Sequence, residues 1–304
     1  MSSVGVPQPD PSQIGGVAEP PFARLPDPTS VFAIRAQRLL ALAEDHQLAP
    51  YLQFLASISG AQHHLQDGLP APDMPPEDAR ARAREFGMPP LDRGTFTADA
   101  AFDTTLDRLF SLAATIDMPE QAGAALARAT AADAGSRAAM VRAVLDDAIP
   151  VEALADHLFV AAALQVHFVR QAARLDAKRL VPVGDGACPC CGGAPVASLV
   201  VSWAGPQNSR YCVCSLCATQ WNYVRIKCTL CGSTKGIGYR HLEHDKMVRA
   251  EICDECHGYV KIMQQAENPA LDPVADDVAS LALDLLVREQ GYRRGAVNPF
   301  MLGY

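Results

Sequence analysis

Apolar residues recur every three or four positions from about residue 30 to 180, beginning with Val31, Ile34, Leu39 and Leu42, then Tyr51, Leu52, Phe54, Leu55 and Ile58. That period places them on one stripe of a helix, so the stretch predicts helices packed through their apolar faces. Ser30 and Pro50 stand where helices can start, and a proline-rich break over 69–76 ends the first pair. Helical patterns resume over 77–86, 98–116, 119–131, 136–147 and 150–180. Pro119 and Pro150 are tolerated in a first turn, where no backbone donor is needed. At Val181 the texture changes to Gly, Cys and β-branched residues. Strands are expected over 196–203, 210–213, 220–226, 238–242, 247–252 and 258–263, with turn residues over 205–208 and around His244 and Asp245. After Pro269 the helical period returns over 274–289, followed by a polar and aromatic tail over 291–304.

Composition adds boundaries to this pattern. Residues 1–29 hold seven prolines and few large apolar side chains. Such a segment is expected to be a mobile arm, or an extended one that orders by lying on a partner. The other regions are rich enough in apolar residues, 49% of the chain, to build a substantial core. The expected division is an arm (1–29), a helical domain (30–180), two small units (181–226 and 227–266) and a C-terminal helix with its tail (267–304). The apolar run 157–169 is interrupted by Gln165 and His167 and falls well short of the roughly 20 residues a spanning helix needs. It reads as a buried helix, and no integral membrane segment is expected. Residues 1–10 carry no basic stretch, twin arginine or apolar core, so no export signal is visible and a cytoplasmic address is expected.

The chemistry is concentrated in the two small units. Four Cys-x-x-Cys pairs, Cys188/Cys191, Cys214/Cys217, Cys228/Cys231 and Cys253/Cys256, form a pattern that repeats after forty residues. All ten cysteines lie between 188 and 256, which reads as metal sites in a reducing compartment and not as a disulfide framework. Each predicted hairpin carries one pair at its start and another at its end, so closing it gathers four sulfurs. Site one is then Cys188, Cys191, Cys214 and Cys217, and site two is Cys228, Cys231, Cys253 and Cys256: a rubredoxin-like or zinc-ribbon design. Four thiolates suit zinc or a single iron, and they close the coordination sphere. Two metal ions per chain are expected, and a closed sphere points to a binding or redox module, not a metalloenzyme. Gly192 and Gly232 follow the second ligand of each opening pair, where the turn needs positive φ.

Other readings of the same residues are weaker. Cys190 and Cys212 have no counterpart in the second unit and read as tolerated small residues, with substitute ligand or redox thiol as the alternatives for Cys190. Cys253-Asp-Glu-Cys256-His257 matches a c-type haem attachment pattern, yet haem attachment requires export, and Ala218 stands at the equivalent position of the first unit. A thioredoxin-like pair needs a βαβ setting that is absent here. The net charge of −8 and pI near 5.5 oppose nucleic-acid binding. Over 184–264 the basic residues exceed the acidic by only two, which the thiolates offset. His63 and His64 make a poor chelate because neighbours on a helix diverge. Asp276 and Asp277 complement the dipole of the last helix. No nucleophile motif or phosphate-binding loop is present, so enzyme activity is not expected.

The text around the cysteines resembles the FdhE family of formate dehydrogenase accessory proteins. The segments are Cys188-Pro-Cys-Cys-Gly, Arg210-Tyr, Cys214-Ser-Leu-Cys217-Ala-Thr-Gln-Trp221, Val224-Arg-Ile-Lys-Cys228, Ala250-Glu, Cys253-Asp-Glu-Cys256, 274–284, Glu289-Gln-Gly-Tyr and Asn298-Pro-Phe. The likeness is specific from about residue 180 onward; upstream only size and helical texture agree. It implies a cytoplasmic maturation chaperone that binds the catalytic subunit of formate dehydrogenase before export, with rubredoxin-like sites that favour iron over zinc and a redox task. Monomer and homodimer are both left open. The fold expected is an all-helical N-terminal domain, two tandem four-cysteine units and a C-terminal helix. A rubredoxin-like electron carrier is the alternative, and a zinc-ribbon nucleic-acid adaptor a more distant one.

Overall fold

A computed structural model describes residues 19–204 and 208–301. The helical half comprises α1 (Val31–Ala43), α2 (Ala49–His64), α3 (Glu77–Glu85), α4 (Ala100–Ala113), α5 (Glu120–Ala131), α6 (Ala134–Leu145) and α7 (Leu154–Ala172). Where caps are visible they follow the sequence: Asp99 accepts the Phe102 N–H at the start of α4, and Asp133 accepts the Ser136 N–H at the start of α6. Pro119 and Pro150 sit one position before their helical turns. The expected helix 150–180 is α7 flanked by two short 3₁₀ turns, Val151–Ala153 and Ala177–Arg179.

α7 is the axis of this half, with α2, α4, α5 and α6 packed around it. By length and composition 151–172 could cross a membrane, but every residue from His157 to Val169 is buried within the protein. Its two polar residues have distinct settings. Gln165 accepts from Arg35 and Gln62 and donates its side-chain amide to the Ser215 carbonyl. His167 lies among Phe96, Phe102 and Phe168 at ring distances of 5.5, 5.6 and 6.1 Å, and its Nε2 has no partner. That burial lowers the imidazole pKa to about 4.

The C-terminal half is built on one eight-stranded sheet in the order β1-β4-β3-β2-β7-β6-β5, with β8 beside β7. The strands are β1 (Ala23–Arg24), β2 (Pro195–Val201), β3 (Ser209–Cys214), β4 (Gln220–Asn222), β5 (Ile237–Leu242), β6 (Asp245–Cys253), β7 (Gly258–Met263) and β8 (Arg293–Arg294). Each cysteine unit contributes a three-stranded antiparallel group, and a short parallel pairing, Ser198 with Ile262 and Leu199 with Met263, fuses β2 of the first to β7 of the second. β2 and β7 are buried along their whole length, whereas β5 is partly exposed at the free edge.

The part of the proline-rich arm within the described residues lies on this chain's own sheet. Ala23 and Arg24 pair with Trp221 and Gln220, and the Tyr211 hydroxyl donates to the Pro21 carbonyl. The strand expected over 220–226 stops at Asn222. Beyond it the carbonyls of Val224, Arg225 and Lys227 turn toward the Arg210 guanidinium at 3.2–3.5 Å.

The last helix is broken into α8 (Ala275–Ala279) and α9 (Leu281–Glu289). Lys261, fully buried on β7, donates to the carbonyls of Asp277 and Ser280 at 2.8 and 3.2 Å, drawing them from the helical ladder. Asp276 and Asp277 are therefore more than dipole partners: Asp276 pairs with Arg38, and Asp277 with Lys261 and Arg294. This charge network fastens both helices to the sheet.

Candidate metal centre

The opening turns of the two units fold alike. Gly192 N–H donates to Cys188 O at 2.8 Å, and Gly232 N–H donates to Cys228 O at 3.1 Å; in return Cys188 N–H reaches Gly193 O and Cys228 N–H reaches Ser233 O at 2.9 and 2.8 Å. Both turns need a left-handed residue after the second cysteine, and Gly192 and Gly232 supply φ of 75° and 72°. The closing turns do the same with residues the sequence did not flag. Ala218 and His257 follow the fourth cysteine of each unit with φ of 56° and 51°. The only signal for them was their matching position in the repeat.

These turns gather Cys188, Cys191, Cys214 and Cys217 into one group and Cys228, Cys231, Cys253 and Cys256 into another, the sulfurs within each group lying within 4.8 Å of one another. A tetrahedron with metal–sulfur bonds of about 2.3 Å has sulfur–sulfur edges of about 3.8 Å. Site two shows Cys228–Cys256 at 3.8 Å and Cys231–Cys253 at 3.7 Å. Site one is slightly tighter, with Cys188–Cys217 at 3.5 Å, Cys191–Cys214 at 3.4 Å and Cys191–Cys217 at 3.7 Å. Both groups can hold a metal ion, and the soft donor set suits zinc and iron alike.

Backbone donors face the sulfurs. Leu216 and Cys217 N–H groups lie 3.4 Å from Cys214 Sγ, and Leu230 N–H lies 3.4 Å from Cys228 Sγ. Such bonds favour the thiolate form a metal requires. The ligands of each group are pushed in opposite directions: burial pushes Cys188 up and Cys228 up to about 12, whereas hydrogen bonds from the neighbouring cysteines hold Cys217 down against its burial and the Ser233 N–H holds Cys231 below its usual value.

Surroundings separate the sites. Cys188, Cys191, Cys214 and Cys217 are 0–2% exposed. Leu91 and Arg93 N–H groups bond to the carbonyls of Cys190 and Cys191, and Gln165 of α7 holds the Ser215 carbonyl. In site two Cys231 is exposed and Cys256 half-buried. Leu230 covers one flank, its side chain occupying the space where β-carbons at Gly258 and Gly295 would stand.

Of the extra cysteines, Cys190 joins neither group; its sulfur is 3.2 Å from the Thr219 hydroxyl, itself 3.2 Å from Cys217 Sγ. Cys212 is buried on β3 beside Ser198. His63 and His64 belong to no metal-holding group among the described residues. Sequence reasoning also missed the joint between the units. Arg210 of β3 and Glu251 of β6 form a buried bidentate pair at 3.1 and 2.8 Å, with Ser198 and Tyr239 completing the bonds. Both belong to motifs flanking the cysteines, but nothing in a sequence pairs residues 41 positions apart.

Three family models match in succession: "FdhE, N-terminal" over 20–185, "FdhE, central domain" over 187–225 and "FdhE, C-terminal domain" over 226–301. A protein FdhE homolog of Rhizobium meliloti is 48% identical over 99% of this chain and 100% of its own length. One from Stutzerimonas stutzeri is 38% identical over 95% of each chain. The crystal structure of the FdhE protein from Pseudomonas aeruginosa superposes with a TM-score of 0.83 at 34% identity, covering 93% of this chain and 99% of that one.

Proposed function

The chain belongs to the FdhE family, and from that premise we propose that it is an accessory protein for formate dehydrogenase, binding the catalytic subunit in the cytoplasm during maturation. The observation that carries this reading is the combination of full-length family similarity with two intact four-cysteine groups.

In this reading Cys188, Cys191, Cys214 and Cys217 hold one ion, and Cys228, Cys231, Cys253 and Cys256 a second, iron being favoured and zinc the alternative. Iron in such a site supplies a one-electron couple, whereas zinc supplies only a crosslink. The chain's own part is to position sulfurs: hairpins bring paired cysteines together, glycines permit the turns, and N–H donors steady the thiolates. It carries no catalytic residue and acts by binding. Its acidic charge leaves nucleic acid out of the reading, and both monomer and homodimer fit it.

Exposure of Cys231 gives specific support to a second reading, a rubredoxin-like electron carrier serving several partners. One experiment separates them: expression in a formate dehydrogenase-producing bacterium that lacks its own FdhE. Restored formate dehydrogenase activity, with the catalytic subunit co-purifying, is the expected result. Soluble protein that restores nothing and captures no catalytic subunit, yet is reversibly reduced by a reductase, overturns the accessory reading in favour of the carrier.

A further inference from the structure

We infer that the two sites divide the work: site one is a structural clasp, and site two is the place where a soft metal ion enters and leaves the folded chain. The inference rests on the metal-holding reading above and deepens it.

Access is the first ground. An ion leaves a four-thiolate site one ligand at a time, so the ligand nearest solvent sets the ease of release. Every cysteine of site one is at most 2% exposed. Its opening turn is tied to the helical half by Leu91 N–H at 2.8 Å and Arg93 N–H at 3.1 Å, and its closing turn by Gln165 at 2.8 Å. Freeing a ligand there requires the interface between the halves to open. Site two has an exposed ligand, Cys231 of its opening turn, and a half-buried one, Cys256 of its closing turn.

The second ground is the partial cover. Leu230, 37% exposed, sits between Cys228 and Cys231 and packs on Gly258 and Gly295. Gly258 begins β7 and Gly295 follows β8, which is held beside β7 through Arg293 N–H to His257 O and Gly295 N–H to Tyr259 O at 2.8 and 2.9 Å. The two glycines leave room for one leucine to close a flank of the site while the Cys231 side stays open. For the ion to leave, the bonds to Cys228, Cys231, Cys253 and Cys256 would all break, Cys231 first, and the freed sulfurs would take protons from solvent; loading would reverse this. No electron moves.

The test uses the full chain loaded with two equivalents of zinc. It is treated with N-ethylmaleimide; labelled peptides are mapped over time, and free zinc is followed with a chromophoric chelator. Cys231 and then Cys256 should be labelled as one equivalent leaves, about tenfold or more ahead of any site-one cysteine, since exposure governs thiol reactivity. Gly258→Ala places a methyl group against Leu230 and 3.3 Å from Cys256 Sγ. It should speed release from site two several-fold and leave site one unchanged. Simultaneous labelling of both groups, or site one reacting first, overturns the inference. A wild-type chain that takes up no zinc overturns the metal-holding reading beneath it.

Discussion

Site one and site two share the same opening-turn hydrogen bonds, yet Cys191 is fully buried and Cys231 is exposed. The repeat in the sequence specifies how four sulfurs converge. What surrounds each copy specifies who can reach them. β2 and β3 lie inside the sheet and are buried, with β7 on one side and β4 and β1 on the other, and the turns of the first unit are tied to the helical half, so that unit is sealed; the β5–β6 hairpin forms the outer edge of the sheet, so the second is not. The same local motif thus serves as core in one place and as surface in the other.

Removing ligands should break this symmetry most strongly. Cys188→Ser with Cys191→Ser should lose one metal equivalent and destabilise the whole chain, because structural four-thiolate zinc sites contribute on the order of 10 kcal/mol. Cys228→Ser with Cys231→Ser should lose one equivalent while the helical half still melts cooperatively. Metal analysis with circular dichroism melts reads both, and full metal content in the first double variant would contradict the ligand assignment.

The joint between the units comes next. Arg210→Met leaves Glu251 buried without its bidentate partner, for an expected loss of about 3–5 kcal/mol in urea unfolding. Adding Glu251→Leu should recover part of it. A loss below about 1 kcal/mol for the single variant would mean that the pair does not hold the units together.

Acid should weaken the helical side through His167. Its folded pKa, about 4, lies below the ordinary value of 6.5, so between those pH values the unfolded chain binds a proton that the native chain refuses. Stability contributed by the neutral ring is complete above pH 6.5 and falls by about 3 kcal/mol as pH drops to 4, then levels. His167→Phe should flatten that part of the pH profile; an unchanged profile would rule the ring out as its cause.

The smallest effect belongs to Cys190. Cys190→Ala removes one hydrogen bond near Cys217 and Thr219→Val removes two, for about 1 kcal/mol or less per bond, with two metal equivalents retained. Loss of an equivalent on Cys190→Ala would show that site one uses a fifth cysteine.

The local plan was legible in the sequence because it is written in spacing: Cys-x-x-Cys-Gly dictates a turn, and the apolar period dictates α1, α2 and α4. The unequal access was not, since Cys191 and Cys231 occupy the same position of one motif and differ only in tertiary neighbours. Likewise Lys261 reads as an ordinary strand residue until Asp277, Asp284 and Arg294 surround it, and the Ser280 break in the last helix follows from that distant lysine. The composition of the arm suggests extension, but only the free edge of β4 explains where Ala23 and Arg24 lie.

The most direct test of unequal sites is the time course of zinc release from the two-equivalent protein to an excess of chromophoric chelator. The account predicts two phases of one equivalent each, the fast phase absent from the Cys228→Ser, Cys231→Ser protein. A single phase releasing both equivalents together would contradict it.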